Sequence, residues 1–405
     1  MEITRTDKII FALFACWCLV DSINGFLIRS GFLSISQIYK IIVSIIVISR
    51  CYNYTLLKIT GLLLYLGIYA VHVYIHDENI GSSIVLISKL LTSLIFYWYF
   101  REICDSNDDF FKQMAFVVIK WNFIIYAVNM LFGFIGIGFT AYDGEGGLGG
   151  IGFFYAANEL SGFVAAVFPW VLYHYKTCYS MKNYVLCGAV LLLFSYTMSA
   201  KAGIMATIMS FFLIAFFYGD KKERRVFILV MVLLIVYVVY HIQDVLGINL
   251  AVMQRFSYLL DQNGLTEAIT SNRLGYWEEY RSKYINSDFT SLILGLGGNR
   301  TVEMDPYDAL LNCGLLGFMF LVYLYINAVV MPIKCKHIPQ SKVILSSNII
   351  IIIISTVGGH ILFSSMAGML IALSNALLFV NKDTGVICGE PNFKEEQITI
   401  SFNQE

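Results

Sequence analysis

Apolar runs of about twenty residues recur along the chain, and no other feature narrows the fold as far. A hydrocarbon core of ~30 Å takes roughly 20 apolar residues per helix, with every backbone polar group satisfied inside the segment. Such runs lie at 9–28, 31–49, 55–75, 82–100, 113–137, 152–172, 184–200, 202–218, 226–245, 306–330, 343–361 and 363–381. They predict an all-α polytopic integral membrane protein with about twelve transmembrane helices. Composition agrees, since only 14% of the 405 residues are charged, against about 25% in a soluble domain. The chain divides into helices over 1–245, a large extracytoplasmic loop over 246–305, helices over 306–381 and a polar cytoplasmic tail over 382–405. The run at 9–28 contains Asp21 and lacks a small-residue cleavage site, so it reads as a retained helix and not a signal peptide.

Charge placement orients this arrangement. One alternate set of connections holds Arg5, Lys8, Arg50, Lys58, Arg101, Lys112, Lys176, Lys182 and the basic cluster from Lys221 to Arg225, with more near the C-terminus. The short connections of the other set hold only Arg29 and Lys201. Positive residues stay on the cytoplasmic side, so both termini are expected there and 246–305 outside. The net charge of −1 argues against nucleic acid as a partner, which demands a basic excess. All nine cysteines fall in spans or cytoplasmic connections, so the outer loop must be ordered by packing and not by disulfides. Neither cysteines nor histidines stand at ligand spacing, and no structural metal is expected. Asp21, Lys40, Lys89 and Lys120 lie inside spans and are expected to form structural pairs facing the bundle interior. The glycine-rich stretch "GFTAYDGEGGLGG" lacks the Lys-Ser/Thr of a phosphate-binding loop and is expected to be a flexible connection.

The outer loop gathers polar chemistry in a chain that otherwise avoids it. It carries Arg255, Arg273, Arg281 and Arg300 with Glu303 and Asp305. Within "NRLGYWEEYRSKY" the rings Tyr276, Trp277, Tyr280 and Tyr284 recur at helical spacing, which predicts a short amphipathic helix at the membrane surface. For most charges of this loop the plain reading is a solvated helix face. Arg273 is more pointed, because a guanidinium at headgroup depth matches phosphate oxygens with a fork of donors. Lys201 in "MSAKAGI" is the lone charge of its connection; it either snorkels or serves the same anion.

Several short motifs then align in order. "SAKAGI" resembles the Ser-Arg-x-Gly element of the O-antigen polymerase and ligase superfamily, with Lys201 in the arginine position. "GFFYAANELSGFVAAVFPW" is similar to that family's Phe-x-x-Pro-Asn segment, with Ala157 for proline and Asn158 for the asparagine. "SNRLGYW" resembles its Arg-x-x-x-Trp at the start of the large loop, carried here by Arg273 and Trp277. "GLGGNRTVEMDPYDALLNCGLLG" resembles the end of that loop, in its carboxylate version with Glu303 and Asp305.

The resemblance covers about residues 150 to 380. It implies a GT-C-like membrane glycosyltransferase of the bacterial inner membrane. Such an enzyme joins undecaprenyl-pyrophosphate-linked oligosaccharide repeat units on the outer face, without metal, cofactor or nucleotide sugar. A chain-length regulator and a flippase would be its partners beside the lipid bilayer. On that reading Arg273 and Lys201 stabilise the leaving diphosphate, with Arg255, Arg281 and Arg300 as substitutes. Glu303 is the base for the acceptor hydroxyl and Asp305 its reserve. Asn158, Trp277 and His360 are further substrate contacts.

Plainer readings stand beside these. Asp305 before Pro306 fits a helix N-cap, and His360 fits a histidine packed among helix ends. A lipid-linked oligosaccharide flippase would also need many spans, but residues 1–200 and 201–381 show no related halves. An O-antigen ligase is the rival within the same class. A chain-length regulator would need few spans.

Overall fold

The computed structural model describes residues 3–51, 53–76, 78–142, 148–240, 273–298, 300–358 and 361–380. Six helices open the chain: α1 (Arg5–Ala15), α2 (Trp17–Arg29), α3 (Ser36–Arg50), α4 (Asn53–Ile75), α5 (Ile80–Ser106) and α6 (Asp108–Phe134). An antiparallel hairpin follows, β1 (Phe139–Tyr142) and β2 (Leu148–Gly152), then α7 (Ala157–Cys178), α8 (Met181–Thr197), α9 (Lys201–Tyr218) and α10 (Lys221–Tyr240). After 241–272 come α11 (Arg273–Ile285), α12 (Phe289–Leu294), α13 (Asp305–Lys334), α14 (Ser341–Gly358) and α15 (Ser365–Ala376). Among the described residues six helices are long and apolar enough to cross a membrane, or seven if α1 and α2, bent by 48° at their junction, form one span. Large apolar side chains such as Leu57, Leu64, Ile45 and Met319 stay exposed on the outside of the bundle. That is the surface of a membrane-embedded helical protein, and it would be a liability in water.

Polar residues inside the bundle satisfy backbone groups that the helices leave open. Asn122 accepts from Cys18 N (2.8 Å) and donates to Phe14 O (2.9 Å), closing the break between α1 and α2. Asn24 accepts from the backbone of Ile35 and Ser36 at the start of α3. Asp21 meets Lys40 at 2.6 Å and Ser36 Oγ at 2.5 Å, as a structural pair should. Lys120 departs from expectation, because it is exposed on α6 and does not face the interior. Lys89 is half-buried.

The helix α7 sits at the centre, buried without a break from Leu160 to Trp170. It packs against α8, α9, α14 and α15. A small residue makes this possible, since a Cβ on Gly162 would lie 2.8 Å from Ala367; Gly368 does the same between α15 and α5, where a Cβ would lie 2.0 Å from Ser93 Oγ. In a bilayer, where apolar burial alone drives little association, such close approach supplies the packing energy.

Within the stretch expected as a flexible connection, Phe139–Tyr142 and Leu148–Gly152 form the hairpin. Its glycines serve contact between backbones. A Cβ on Gly150 would meet Gly133 O at 2.3 Å, and one on Gly152 would meet Asn129 O at 2.4 Å, so β2 lies directly on α6.

The same device seats the outer loop. Gly314 interrupts α13 with φ 64° and ψ −165°, and α12 ends at Gly295 with φ 95°. The two meet backbone to backbone, with Leu296 N donating to Leu311 O at 2.7 Å. A Cβ on Gly314 would fall 2.3 Å from Ile293 O, and one on Gly295 2.4 Å from the carbonyl carbon of Asn312. A side chain at either position demands both a strained backbone and displacement of the partner strand. Gly314→Ala should therefore destabilise the protein by about 2–4 kcal/mol, read as a lowered unfolding temperature in detergent. Gly61→Ala, with open space around its Cβ position, serves as the neutral comparison.

Candidate functional site

The loop end of the bundle is built from helix termini. Along α11 the residues Leu274, Trp277, Tyr280 and Tyr284 share a face, which packs on Val302, Met304, Tyr307 and Leu311. The ring of Trp277 lies 4.8 Å from that of Tyr307, so its contacts are with the loop's own core. The opposite face, with Glu278, Glu279 and Arg281, is exposed. This division turns Arg273, the first residue of α11, toward the bundle. Its Nη2 and Nε donate to Glu303 Oε2 at 3.0 and 3.3 Å. The guanidinium also rests on Gly358, the last residue of α14, where a Cβ would lie 2.8 Å from Nη1. Carbonyl groups end a helix there and favour a cation.

Glu303 has φ 60°, a conformation uncommon for any residue other than glycine. Asn158, on the first turn of α7, donates from Nδ2 to the same Oε2 at 3.4 Å. Arg273 and Asn158, from distant parts of the chain, thus converge on one carboxylate oxygen, while Oε1 takes no part in these three contacts. The backbone leading into Glu303 is fixed by side chains of α13. Asn312 accepts from Arg300 N (2.9 Å), and Asp308 accepts from Val302 N (2.5 Å).

Asp305 lies one residue past the helix cap, which is Met304 and makes no side-chain bond. The N-cap role expected of it is not made. Its fully buried carboxylate instead accepts from Ile361 N (3.2 Å) and Leu362 N (2.9 Å), fixing the start of the turn into α15. Arg300 is also engaged elsewhere, with Glu78 and with the carbonyls of Leu296 and Gly297. Among the described residues Arg281 pairs with its neighbour Glu278, at 3.4 Å on an exposed face. Both stand apart from the Arg273–Glu303 pair. Arg255, His360, the first part of the outer loop and the tail after 380 lie outside the described residues.

Lys201 opens α9 at the same end, half-buried. It stands two residues before Gly203, whose Cβ position is 3.5 Å from Ser161 Oγ on α7. The bundle therefore brings Arg273, Glu303 and Asn158 into contact and sets Lys201 on the adjoining helix end.

Sequence reasoning passed over a neighbour of this group. A cavity of about 470 Å³ is lined by Arg29, Ala141, Tyr155, Ala157 and Asn158 among others. Arg29 stood out only as a basic residue in an outward connection, and that rarity was the available signal.

Fold and site together define a helical membrane protein with an ion-paired carboxylate at one end of the bundle. Compared with known proteins, the chain matches no family model, no curated protein and no solved structure.

The loop is clamped to α4 by groups that titrate. His72 Nε2 is 2.8 Å from Gly295 O, and His76 stands 2.9 Å from His72 O through Nδ1 and 3.1 Å from Asp288 Oδ1 through Nε2. With acceptors at both ring nitrogens, His76 favours the imidazolium. Its pKa is raised, first by the bond to His72 O and then by Asp288. Bonds from Ser291 and Thr290 hold the Asp288 carboxyl below its ordinary range. A raised histidine stabilises fully below its unfolded value and loses that contribution as pH climbs through the folded value. The contact is thus complete between the lowered Asp288 value and the raised His76 value. Amide exchange over 289–296, corrected for its intrinsic pH dependence, should quicken as pH rises from the ordinary histidine range through the raised His76 value. In His76→Gln that additional pH dependence should vanish.

Proposed function

We propose that the protein is a polysaccharide polymerase, joining oligosaccharide repeat units carried on undecaprenyl pyrophosphate at the outer face of the bacterial cytoplasmic membrane. The observation that carries this reading is the convergence of Arg273 and Asn158 on Glu303 at the end of the bundle that the charge distribution assigns to the outside. Support comes also from the four motifs, whose residues Arg273, Asn158, Lys201 and Glu303 gather at one end of the fold. About twelve spans, a GT-C-like arrangement and cytoplasmic termini belong to the same proposal.

The chemistry requires a cation where diphosphate charge develops and a base beside the attacking hydroxyl. In the resting protein the guanidinium of Arg273 is held by Glu303 at 12% side-chain exposure. An arriving lipid diphosphate offers stronger acceptors for that guanidinium, and in taking Arg273 it releases the carboxylate. Glu303 then accepts the proton of the acceptor sugar hydroxyl as its oxygen attacks the anomeric carbon. The bond from that carbon to the diphosphate oxygen breaks, the new glycosidic bond forms, and the lipid diphosphate leaves with its electron pair. Cations preorganised at the leaving group stabilise the transition state more than the bound substrate. Lys201 is the second cation of this role. A half-buried ion pair as a resting state has a further use, because neither charge is left bare in a site of low dielectric. The positive φ of Glu303 agrees with this reading, since strained backbone clusters where function imposes it.

A flippase is the second reading, and the ligase the third. Purified protein in liposomes with lipid-linked repeat units should produce a ladder of longer glycans. Translocation without elongation would decide for transport, and transfer of finished chains only to a different acceptor would decide for a ligase. Glu303→Gln should lower turnover by on the order of 10²–10⁴-fold with the protein still in the membrane. Arg273→Ala should abolish polymer. Normal chain lengths in either variant would remove that residue from the mechanism.

A further inference from the structure

The end of the bundle opposite Glu303 carries a charge imbalance that the proposed reaction does not use. The helix α9 runs away from the Glu303 end, from Lys201 to Tyr218, and α10 follows at once with Lys221, Lys222, Glu223, Arg224 and Arg225. All four cations are exposed. The carboxylates beside them are engaged elsewhere. Glu223 Oε2 accepts from Lys176 Nζ at 2.7 Å and from Asp220 N at 2.9 Å, and Asp220 Oδ1 accepts from Glu223 N at 2.7 Å. Lys221, Lys222 and Arg225 have no carboxylate partner among the described residues. Lys342 adds an exposed charge to the same rim, with its Nζ 5.9 Å from the ring of Tyr218.

Two features define what would neutralise these charges. The first is the order of residues along one helix face. Lys221, Lys222, Arg225, Leu229 and Val232 share a face by helical spacing, and Leu229 and Val232 are 58% and 50% exposed. A cationic first turn thus runs into bare apolar surface, which belongs in hydrocarbon. That places the cations at the level of lipid phosphates and the apolar residues at the level of acyl chains.

The second feature is helix direction. Cations are disfavoured at a helix N-terminus, the positive end of its dipole, and favoured at the C-terminus. Lys334 and Lys336 stand at the C-terminal end of α13, where the helix itself supports them. A general excess of positive charge on one side of a membrane accounts for both sets alike; helix direction separates them, and leaves the α10 set in need of an outside anion.

We infer that the start of α10, with Lys342 beside it, is a docking surface for anionic phospholipid. The lipid phosphodiester lies against Lys221, Lys222 and Arg225, and an acyl chain follows Leu229 and Val232. This surface is independent of the polymerase reading.

The test uses the full chain in nonionic detergent, titrated with dioctanoyl phosphatidylglycerol, dioctanoyl phosphatidylcholine or inorganic phosphate, with unfolding temperature as the readout. Phosphatidylglycerol should stabilise the protein at concentrations where the other two do not. Replacing Lys221 and Lys222 together by Gln should weaken its apparent affinity by about tenfold or more, and replacing both by Arg should restore it. Arg225→Gln, a single change, should act in the same direction and guards against misfolding of the double variant. Lys334→Gln with Lys336→Gln removes the same charge and should leave the affinity close to wild type. Equal losses in the two glutamine pairs would reduce the surface to a diffuse charge layer and overturn the inference. So would equal stabilisation by phosphatidylcholine, or by phosphate alone.

Discussion

A helix buried on every side can show polar groups only at its ends, and α7 imposes that rule on the rest of the molecule. From Leu160 to Trp170 it touches nothing but protein, so Asn158 on its first turn is where it becomes chemically available. Once α7 is central, the starts of α9 and α13 and the end of α14 must surround that turn. Arg273 and Glu303 arrive there because the loop between α11 and α13 has nowhere else to rest its apolar face. Burial of that face by Trp277, Tyr280 and Tyr284 contributes on the order of 1.5–3 kcal/mol per large side chain. It outweighs the partly exposed ion pairs, which contribute about 1 kcal/mol or less each.

Those ion pairs set direction more than stability. Among the described residues two of the loop's charges reach the bundle through a partner on it, Arg300 with Glu78 and Asp288 with His76, while Arg273 pairs with Glu303 within the loop. Wrong pairings leave a charge partly desolvated and unmatched, which costs more than a correct pairing gains. The loop is consequently placed by apolar contact and registered by charge.

Much of this could be read in the sequence, and the exceptions share a cause. Apolar runs marked the helices because the bilayer requirement acts on composition and length alone. The helix at 273–285 announced itself through its aromatic spacing, and Arg273, Glu303 and Asn158 through short motifs. Sequence put Arg273 first but could only rank Arg281 and Arg300 behind it as substitutes. All three are arginines of one loop, and only the packing of α11 and the reach of Glu78 separate them. The glycines of the stretch ending at Gly150 read as looseness, yet Gly149 and Gly150, like Gly314, are points where backbones touch, which depends on a partner distant in the chain. Asp305 looked like a helix cap from its neighbour Pro306, and the turn at 361–362, invisible to local reasoning, claims it instead. Lys120 shows the same limit, because a helix face cannot be assigned outward until the neighbouring helices are known.

The left-handed backbone at Glu303 restricts the routes by which this position can change over generations. Aspartate and asparagine settle into that conformation more readily than other side chains, and β-branched residues hardly at all. Descendants that drift from glutamate are therefore channelled toward a shorter carboxylate, an amide or glycine. Each of those alters the reach of the functional group before it alters the shape of the chain, so selection at this site acts on chemistry first and on folding second.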